Sequence, residues 1–195
     1  MEPLPTNGDD RIEGTNGRDN ISALAGDDRV FSFGGKDRLF GDNGDDLLNG
    51  GAGSDRLFGG DGNDKLRGEE GNDELEGGKG DDSLAGGIGD DILSGGRGFD
   101  LFNFIVNTSS AAGGDTIVDF DERKEFINLG DYRPFGDLDT NGDGSLTNAD
   151  DFVTTSGRTT VIDVGAAFGF AAGFEVLTVV NSINSPLDGN TFLFN

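Results

Sequence analysis

Gly50-Gly51-Ala52-Gly53-Ser54-Asp55-Arg56-Leu57-Phe58 runs without a gap into Gly59-Gly60-Asp61-Gly62-Asn63-Asp64-Lys65-Leu66-Arg67, and the pattern returns at Gly86-Gly87-Ile88-Gly89-Asp90-Asp91-Ile92-Leu93-Ser94. Written in rows of nine from Pro5, eleven rows align as far as Asn103 with no slip of register. The fourth place is glycine in every row, from Gly8 to Gly98. The sixth is always aspartate: Asp10, Asp19, Asp28, Asp37, Asp46, Asp55, Asp64, Asp73, Asp82, Asp91 and Asp100. The eighth is always large and apolar, from Ile12 and Ile21 through Leu39, Leu57 and Leu84 to Phe102. Self-similarity at so short a period marks a solenoid, in which each repeat buries its apolar residue only against its neighbours.

Within a row the glycines permit backbone angles with positive φ, so the first six places read as a turn and the last three as a strand with one inward side chain. If two rows make one coil, odd rows stack Ile12, Val30, Leu48, Leu66, Leu84 and Phe102 on one sheet. Even rows stack Ile21, Leu39, Leu57, Leu75 and Leu93 on the other. The expected fold class is all-β: a parallel β-roll of five to six coils, roughly 25 Å long, around a thin interior.

Charge decides what such a roll needs. Glycine fills 36 of the 195 positions, and 38 acidic residues oppose 14 basic ones, for a net charge of −24 without a histidine. A chain so charged stays disordered unless cations neutralise it. Stacking sets the sixth-place carboxylate of one row above that two rows later, Asp55 above Asp73 for instance, and bare like charges at that distance repel. A calcium ion between the turns turns repulsion into ligation, since calcium takes six to eight oxygens and glycine-rich turns offer carbonyls. With each site shared by rows i and i+2, eleven rows allow at most nine such sites. The alternative is a metal-free solenoid in which Asp and Gly serve only as turn formers, but turn chemistry does not require a carboxylate in every row.

The same composition excludes whole classes. There is no basic stripe to release counterions from phosphate, so nucleic acid is not an expected partner. Without cysteine there are neither disulfides nor thiolate metal sites. Without histidine or cysteine there is no zincin helix, Ser-His-Asp triad or thiol nucleophile. A carboxylate pair could hydrolyse glycosides, but the aspartates are already assigned to the repeats, and no catalytic residue is expected. No apolar run reaches bilayer length, so no membrane span is expected. Met1-Glu2-Pro3-Leu4-Pro5 has neither a basic start nor an apolar stretch, so no cleavable secretory signal is visible and export would use another address.

The nonapeptide GGxGxD-x-apolar-x resembles the RTX, or hemolysin-type, calcium-binding repeat. The resemblance covers about half the chain. It implies a right-handed parallel β-roll with calcium held by the aspartate and by turn carbonyls. Those carbonyls would be at Gly50 and Ala52, Gly59 and Asp61, Gly68 and Glu70, Gly77 and Lys79, and Gly86 and Ile88. Early rows depart from the pattern: Ala23-Leu24 and Ser32-Phe33 stand where the family has paired glycine, and Thr15, Asp42 and Glu69 fill the second place elsewhere. Sites from Asp46 to Asp100 are therefore expected to be more regular than those from Asp10 to Asp37.

Past Asn103 strand patterning replaces the glycine period, so residues 5–103 read as the roll and 104–195 as a β-rich cap and secretion region. Asp115-Thr116-Ile117-Val118-Asp119-Phe120 followed by Phe126-Ile127-Asn128-Leu129 resembles the flank that closes the roll in RTX proteins and serralysin-type proteases. Asp139-Thr140-Asn141-Gly142-Asp143-Gly144-Ser145-Leu146-Thr147-Asn148-Ala149-Asp150 resembles an EF-hand or dockerin loop. There Asp139, Asn141, Asp143, the Ser145 carbonyl and Asp150 would be the ligands, with Asp in place of the usual closing Glu. Thr159–Val164 and Phe174–Val180 read as strands. The end, Asp188 to Asn195, resembles a type I secretion signal and reads equally well as a last strand over Thr191–Phe194.

These readings converge on calcium binding that folds a secreted, extracellular module, with a type I secretion apparatus as a further partner. Two alternatives stay open: an extracellular spacer or adhesive module meeting surface or matrix components, and the C-terminal module of a larger secreted enzyme.

Overall fold

The computed structural model describes residues 4–104, 113–121 and 124–128 in full, together with the backbone of six short strands between Ser145 and Leu193. No helix occurs among the described residues. Odd and even rows segregate onto two parallel sheets, as the nine-residue period requires. The odd-row sheet stacks Arg11–Glu13, Arg29–Phe31, Leu47–Gly53, Lys65–Glu70, Ser83–Ile88 and Leu101–Asn103. The even-row sheet stacks Asn20–Ser22, Arg38–Asn43, Arg56–Asp61, Glu74–Lys79 and Ile92–Arg97.

Register is in place at every step. Ile12 pairs with Val30, Val30 with Leu48, Leu48 with Leu66, Leu66 with Leu84 and Leu84 with Phe102. The even column runs Ile21, Leu39, Leu57, Leu75, Leu93. From Val30 to Phe102 these eighth-place side chains are fully buried, while Ile12 and Ile21 at the open end are only half-buried. Each fully buried leucine contributes roughly 1.5–3 kcal/mol, and a row supplies one, so a coil cannot hold alone.

The strands are longer than the three residues expected. In rows 4 to 10 the ladder continues through the first three places of the next row, pairing for example Asp42 with Gly60 and Asn43 with Asp61. Turns of one shape stacked in register keep presenting N–H to C=O, so hydrogen bonding does not stop where the apolar strand does. In every row from 3 to 11 the second and fourth places have positive φ, including the non-glycine Leu24, Phe33, Asp42 and Glu69. Glycine is needed at Gly60 for a second reason: a Cβ there would collide with the Asp42 carbonyl of the coil below.

The nonapeptide spacing ends at Asn103, but the stack continues. Phe126–Asn128 extends the odd sheet, placing Ile127 on Phe102, and Phe192–Leu193 follows it. Gly113–Phe120 extends the even sheet, placing Ile117 on Leu93, and Glu175–Asn181 follows in parallel. Thr159–Asp163 and Val153–Ser156 then close that sheet with antiparallel pairings. Phe120 packs on Phe102 with ring centroids 6.0 Å apart, filling the end of the core.

Candidate metal centres

From Asp28 to Asp100 every sixth-place aspartate has two differently treated oxygens. Oδ1 accepts the backbone N–H of the aspartate two rows earlier: Asp28 to Asp46 at 2.7 Å, Asp46 to Asp64 at 2.8 Å, Asp55 to Asp73 at 2.8 Å and Asp82 to Asp100 at 2.9 Å. Oδ2 of Asp28, Asp37, Asp46, Asp55, Asp64, Asp73, Asp82, Asp91 and Asp100 is buried with no hydrogen-bond partner. These residues are at most 3% exposed. A buried carboxylate oxygen left unpaired is costly, and nine of them in one domain demand a partner of another kind.

The first-place glycines show where that partner fits. A Cβ built on Gly50 would lie 2.6 Å from Asp55 Oδ2 and 3.1 Å from the carbonyl oxygen of Gly68, two rows on. The same pair of oxygens, own-row Oδ2 and first-place carbonyl two rows on, faces Gly41, Gly59, Gly68 and Gly77. Each of these five turns therefore keeps an oxygen-lined space beside the glycine that no side chain could enter without displacing those oxygens. The donors are all hard oxygens, which suits calcium, and no nitrogen or sulfur donor is near. No group of three acidic, His or Cys side chains gathers among the described residues, so main-chain carbonyls would have to complete any coordination.

Burial also governs the protons. Desolvation pushes Asp46, Asp82 and Asp91 up to about 6, and Asp64 and Asp73 up to about 7, against the partial lowering by the N–H on Oδ1. It raises Asp28, Asp55 and Asp100 as well. Neighbouring carboxylates of the stack add to the rise. A bound divalent cation would be the largest local charge and would invert this preference.

The remaining residues expected at sites divide into five groups. The carbonyls of Gly59, Gly68, Gly77 and Gly86 face the spaces just described, whereas that of Gly50 accepts the Ser32 hydroxyl at 2.7 Å. The carbonyls of Asp61, Lys79 and Ile88 accept the N–H of Gly44, Gly62 and Gly71 at 2.8–2.9 Å, so they serve the ladder, each with a lone pair still free by valence. Ala52 and Glu70 stand in register with each other and with Ile88. Asp10 and Asp19, at the open end, have Oδ2 engaged by Thr6 and Thr15. Asp139, Asn141, Asp143 and Asp150 lie outside the described residues, as does all of their loop except the Ser145–Leu146 backbone, which pairs with Leu187–Asp188.

Three features escape the nine-residue count. Asp115 accepts the Asp91 N–H at 3.0 Å, and Glu125 stands at the sixth place two residues before Ile127. Both are buried, and desolvation pushes Glu125 up to about 8. Their signal is the acid-x-Ile triplet, displaced from the period by the insertions after Asn103. Asp119 accepts Gly95 N–H, Gly96 N–H and the Ser94 hydroxyl at 3.1, 2.9 and 2.7 Å. Finally, fifth-place Asx oxygens form a second ladder, such as Asp45 N–H to Asp27 Oδ1 and Asn63 N–H to Asp45 Oδ1, at 3.0 and 2.8 Å.

The RTX calcium-binding nonapeptide repeat matches residues 5–32, 31–66 and 67–102. No curated protein matches the chain. Among solved structures, the AlgE6R3 subunit of the Azotobacter vinelandii mannuronan C5-epimerase is 30% identical, over 77% of this chain and 78% of that one, with a TM-score of 0.40. The extracellular lipase LipA from Serratia marcescens is 16% identical over 98% of this chain, with a TM-score of 0.42, and the match spans only 39% of the lipase.

Proposed function

Since the chain belongs to the RTX calcium-binding nonapeptide-repeat family, we propose that it is a secreted module, comprising a roll over residues 5–103 and a capping region over 104–195, that calcium folds outside the cell. The observation that carries the reading is the run of buried, partnerless Oδ2 atoms from Asp46 to Asp82, each set beside a glycine together with a carbonyl oxygen two rows on. Closing the coils around them without a cation confines negative charge in a dry turn. With calcium in the oxygen-lined spaces, these five carboxylates stay ionised and gain their missing partner. The sixth-place aspartates would supply Oδ2, the first-place glycines Gly59, Gly68, Gly77, Gly86 and Gly95 would supply carbonyl oxygen, and Oδ1 would continue to hold adjacent coils in register.

Because only the folded coils assemble these spaces, calcium stabilises by mass action. In micromolar calcium a chain of net charge −24 stays open, and in millimolar calcium it folds. That difference suits passage through a type I secretion apparatus followed by folding outside. The Asp139–Asp150 loop would hold a further ion of its own. Catalysis is not assigned to this chain, which has neither histidine nor cysteine.

Far-ultraviolet circular dichroism, starting in chelator and titrating calcium from micromolar to about ten millimolar with magnesium as control, tests the reading. Cooperative gain of β signal with calcium and not with magnesium supports it. A chain fully β-structured in chelator at pH 8 and indifferent to calcium would overturn it.

A further inference from the structure

We infer that the first four rows bind no calcium, because protein groups stand where the ion would, and that the metal array begins at Gly41 and Asp46. The inference rests on the calcium reading above and divides its nine geometric places into two kinds.

In rows 1 and 2 threonine replaces the ion as the partner of Oδ2. Thr6 donates its N–H and its hydroxyl to Asp10 Oδ2 at 2.6 and 2.9 Å. Thr15 does the same to Asp19 Oδ2 at 2.7 and 3.1 Å. Each hydroxyl oxygen in turn accepts the fourth-place N–H, of Gly8 at 3.2 Å and of Gly17 at 3.1 Å. These are turns of a different shape: the positive φ found at the second and fourth places of rows 3 to 11 is absent at Thr6, Gly8, Thr15 and Gly17. A β-branched residue resists positive φ, and its hydroxyl offers a local turn instead. A carboxylate oxygen with two N–H or O–H donors has no call for a cation.

In rows 3 and 4 the turn has the regular shape but its space is filled. Ala23 and Ser32 occupy the first place, where rows 5 to 11 have glycine, and both are fully buried. The Ser32 hydroxyl donates at 2.7 Å to the carbonyl of Gly50, two rows on. That carbonyl is the counterpart of Gly59 O facing Gly41, Gly68 O facing Gly50 and Gly77 O facing Gly59. Serine thus occupies both the volume and one of the oxygens an ion would use, and the Ala23 methyl occupies the equivalent volume one row earlier. Five places remain, at rows 5 to 9, where glycine leaves the space open between Oδ2 of Asp46, Asp55, Asp64, Asp73 or Asp82 and a carbonyl two rows on.

The full chain at saturating calcium, weighed by native mass spectrometry with circular dichroism as a check on the roll, reads the assignment as differences in ion count. Ser32→Gly should add one ion by opening the row 4 space. Gly50→Ser should remove one by filling row 6. Asp19→Asn, at the exposed edge where loss of the roll is not at stake, should leave the count unchanged. An unchanged count in folded Ser32→Gly, or loss of an ion in Asp19→Asn, overturns the inference. If Gly50→Ser loses the roll, the other two variants decide. A wild-type chain that holds no calcium at all would instead bring down the calcium reading itself, so the two failures are distinguishable.

Discussion

Removing calcium should make the roll's stability fall with rising pH, the reverse of its behaviour with calcium bound. In the metal-free coils burial holds Asp46, Asp82 and Asp91 near 6 and Asp64 and Asp73 near 7, against an unfolded value of 3.8. Folding then takes up protons between about pH 4 and 7, so the stabilising form is the neutral acid. That contribution is full below the unfolded value and is lost as pH climbs through 6 and 7. Two to three pH units correspond to about 3–4 kcal/mol for each carboxylate. The five are coupled along two stacks and do not add simply, but together they rival the roughly 5–15 kcal/mol that holds an ordinary domain. In chelator, urea melts followed by circular dichroism should show a folded roll at pH 5 and little or none at pH 8. In saturating calcium the carboxylates are ionised ligands, protons compete with the ion, and stability should rise with pH instead. Working no lower than pH 5 avoids the isoelectric range near 4.1. Equal stability at pH 5 and pH 8 in chelator would refute the argument that the unpartnered Oδ2 atoms govern folding.

Asp73→Asn keeps an oxygen for the Asp55 N–H and removes the buried charge. It should stabilise the metal-free roll at pH 8 by about 3–4 kcal/mol, yet lower calcium stoichiometry by one and destabilise the loaded protein, a crossing of sign visible in paired melts with and without calcium. Glu69→Gly relieves a positive φ of 79° at the cost of one exposed hydrogen bond from Asn49; it should raise stability by about 1 kcal/mol in calcium, read from the urea midpoint. Leu66→Ala empties the middle of the odd column and should cost about 2–5 kcal/mol in the same assay.

The architecture was legible because three columns share one period, so that Leu48, Leu66 and Leu84 could be placed on one another by counting alone. Which residues form each site was legible only in part. Counting finds Asp55 above Asp73, but it cannot tell that Oδ1 serves a backbone N–H while Oδ2 has no partner, a division set by side-chain rotation inside the turn. Nor does it reveal that first-place carbonyls face the spaces while those of Asp61, Lys79 and Ile88 feed the ladder, because that depends on the positive φ at the intervening place. Asp115 and Glu125 were hidden by a change of spacing: Asp91 to Asp115 spans 24 residues where every earlier step spans 18. A solenoid needs only its coils to stack, so a longer excursion between two strands leaves the column intact and breaks only the arithmetic.

The two ends of the roll solve one problem with opposite groups. A coil inside the stack has a neighbour on each side to supply oxygens, so a cation can be shared; a terminal coil lacks one neighbour and half of the donors. At the N-terminal end Thr6 and Thr15 bring donors to the carboxylates of Asp10 and Asp19. At the other end the exposed groups are turn N–H donors, and there Asp119 brings a carboxylate to Gly95, Gly96 and Ser94. Beyond it Glu125, buried and held near 8, occupies the aspartate's place in protonated form at neutral pH when no ion is bound. Hydrogen bonds at the termini and ions from Asp46 onward then follow one rule: a stacked carboxylate takes a donor where a turn supplies one and an ion where the facing oxygens leave room for it.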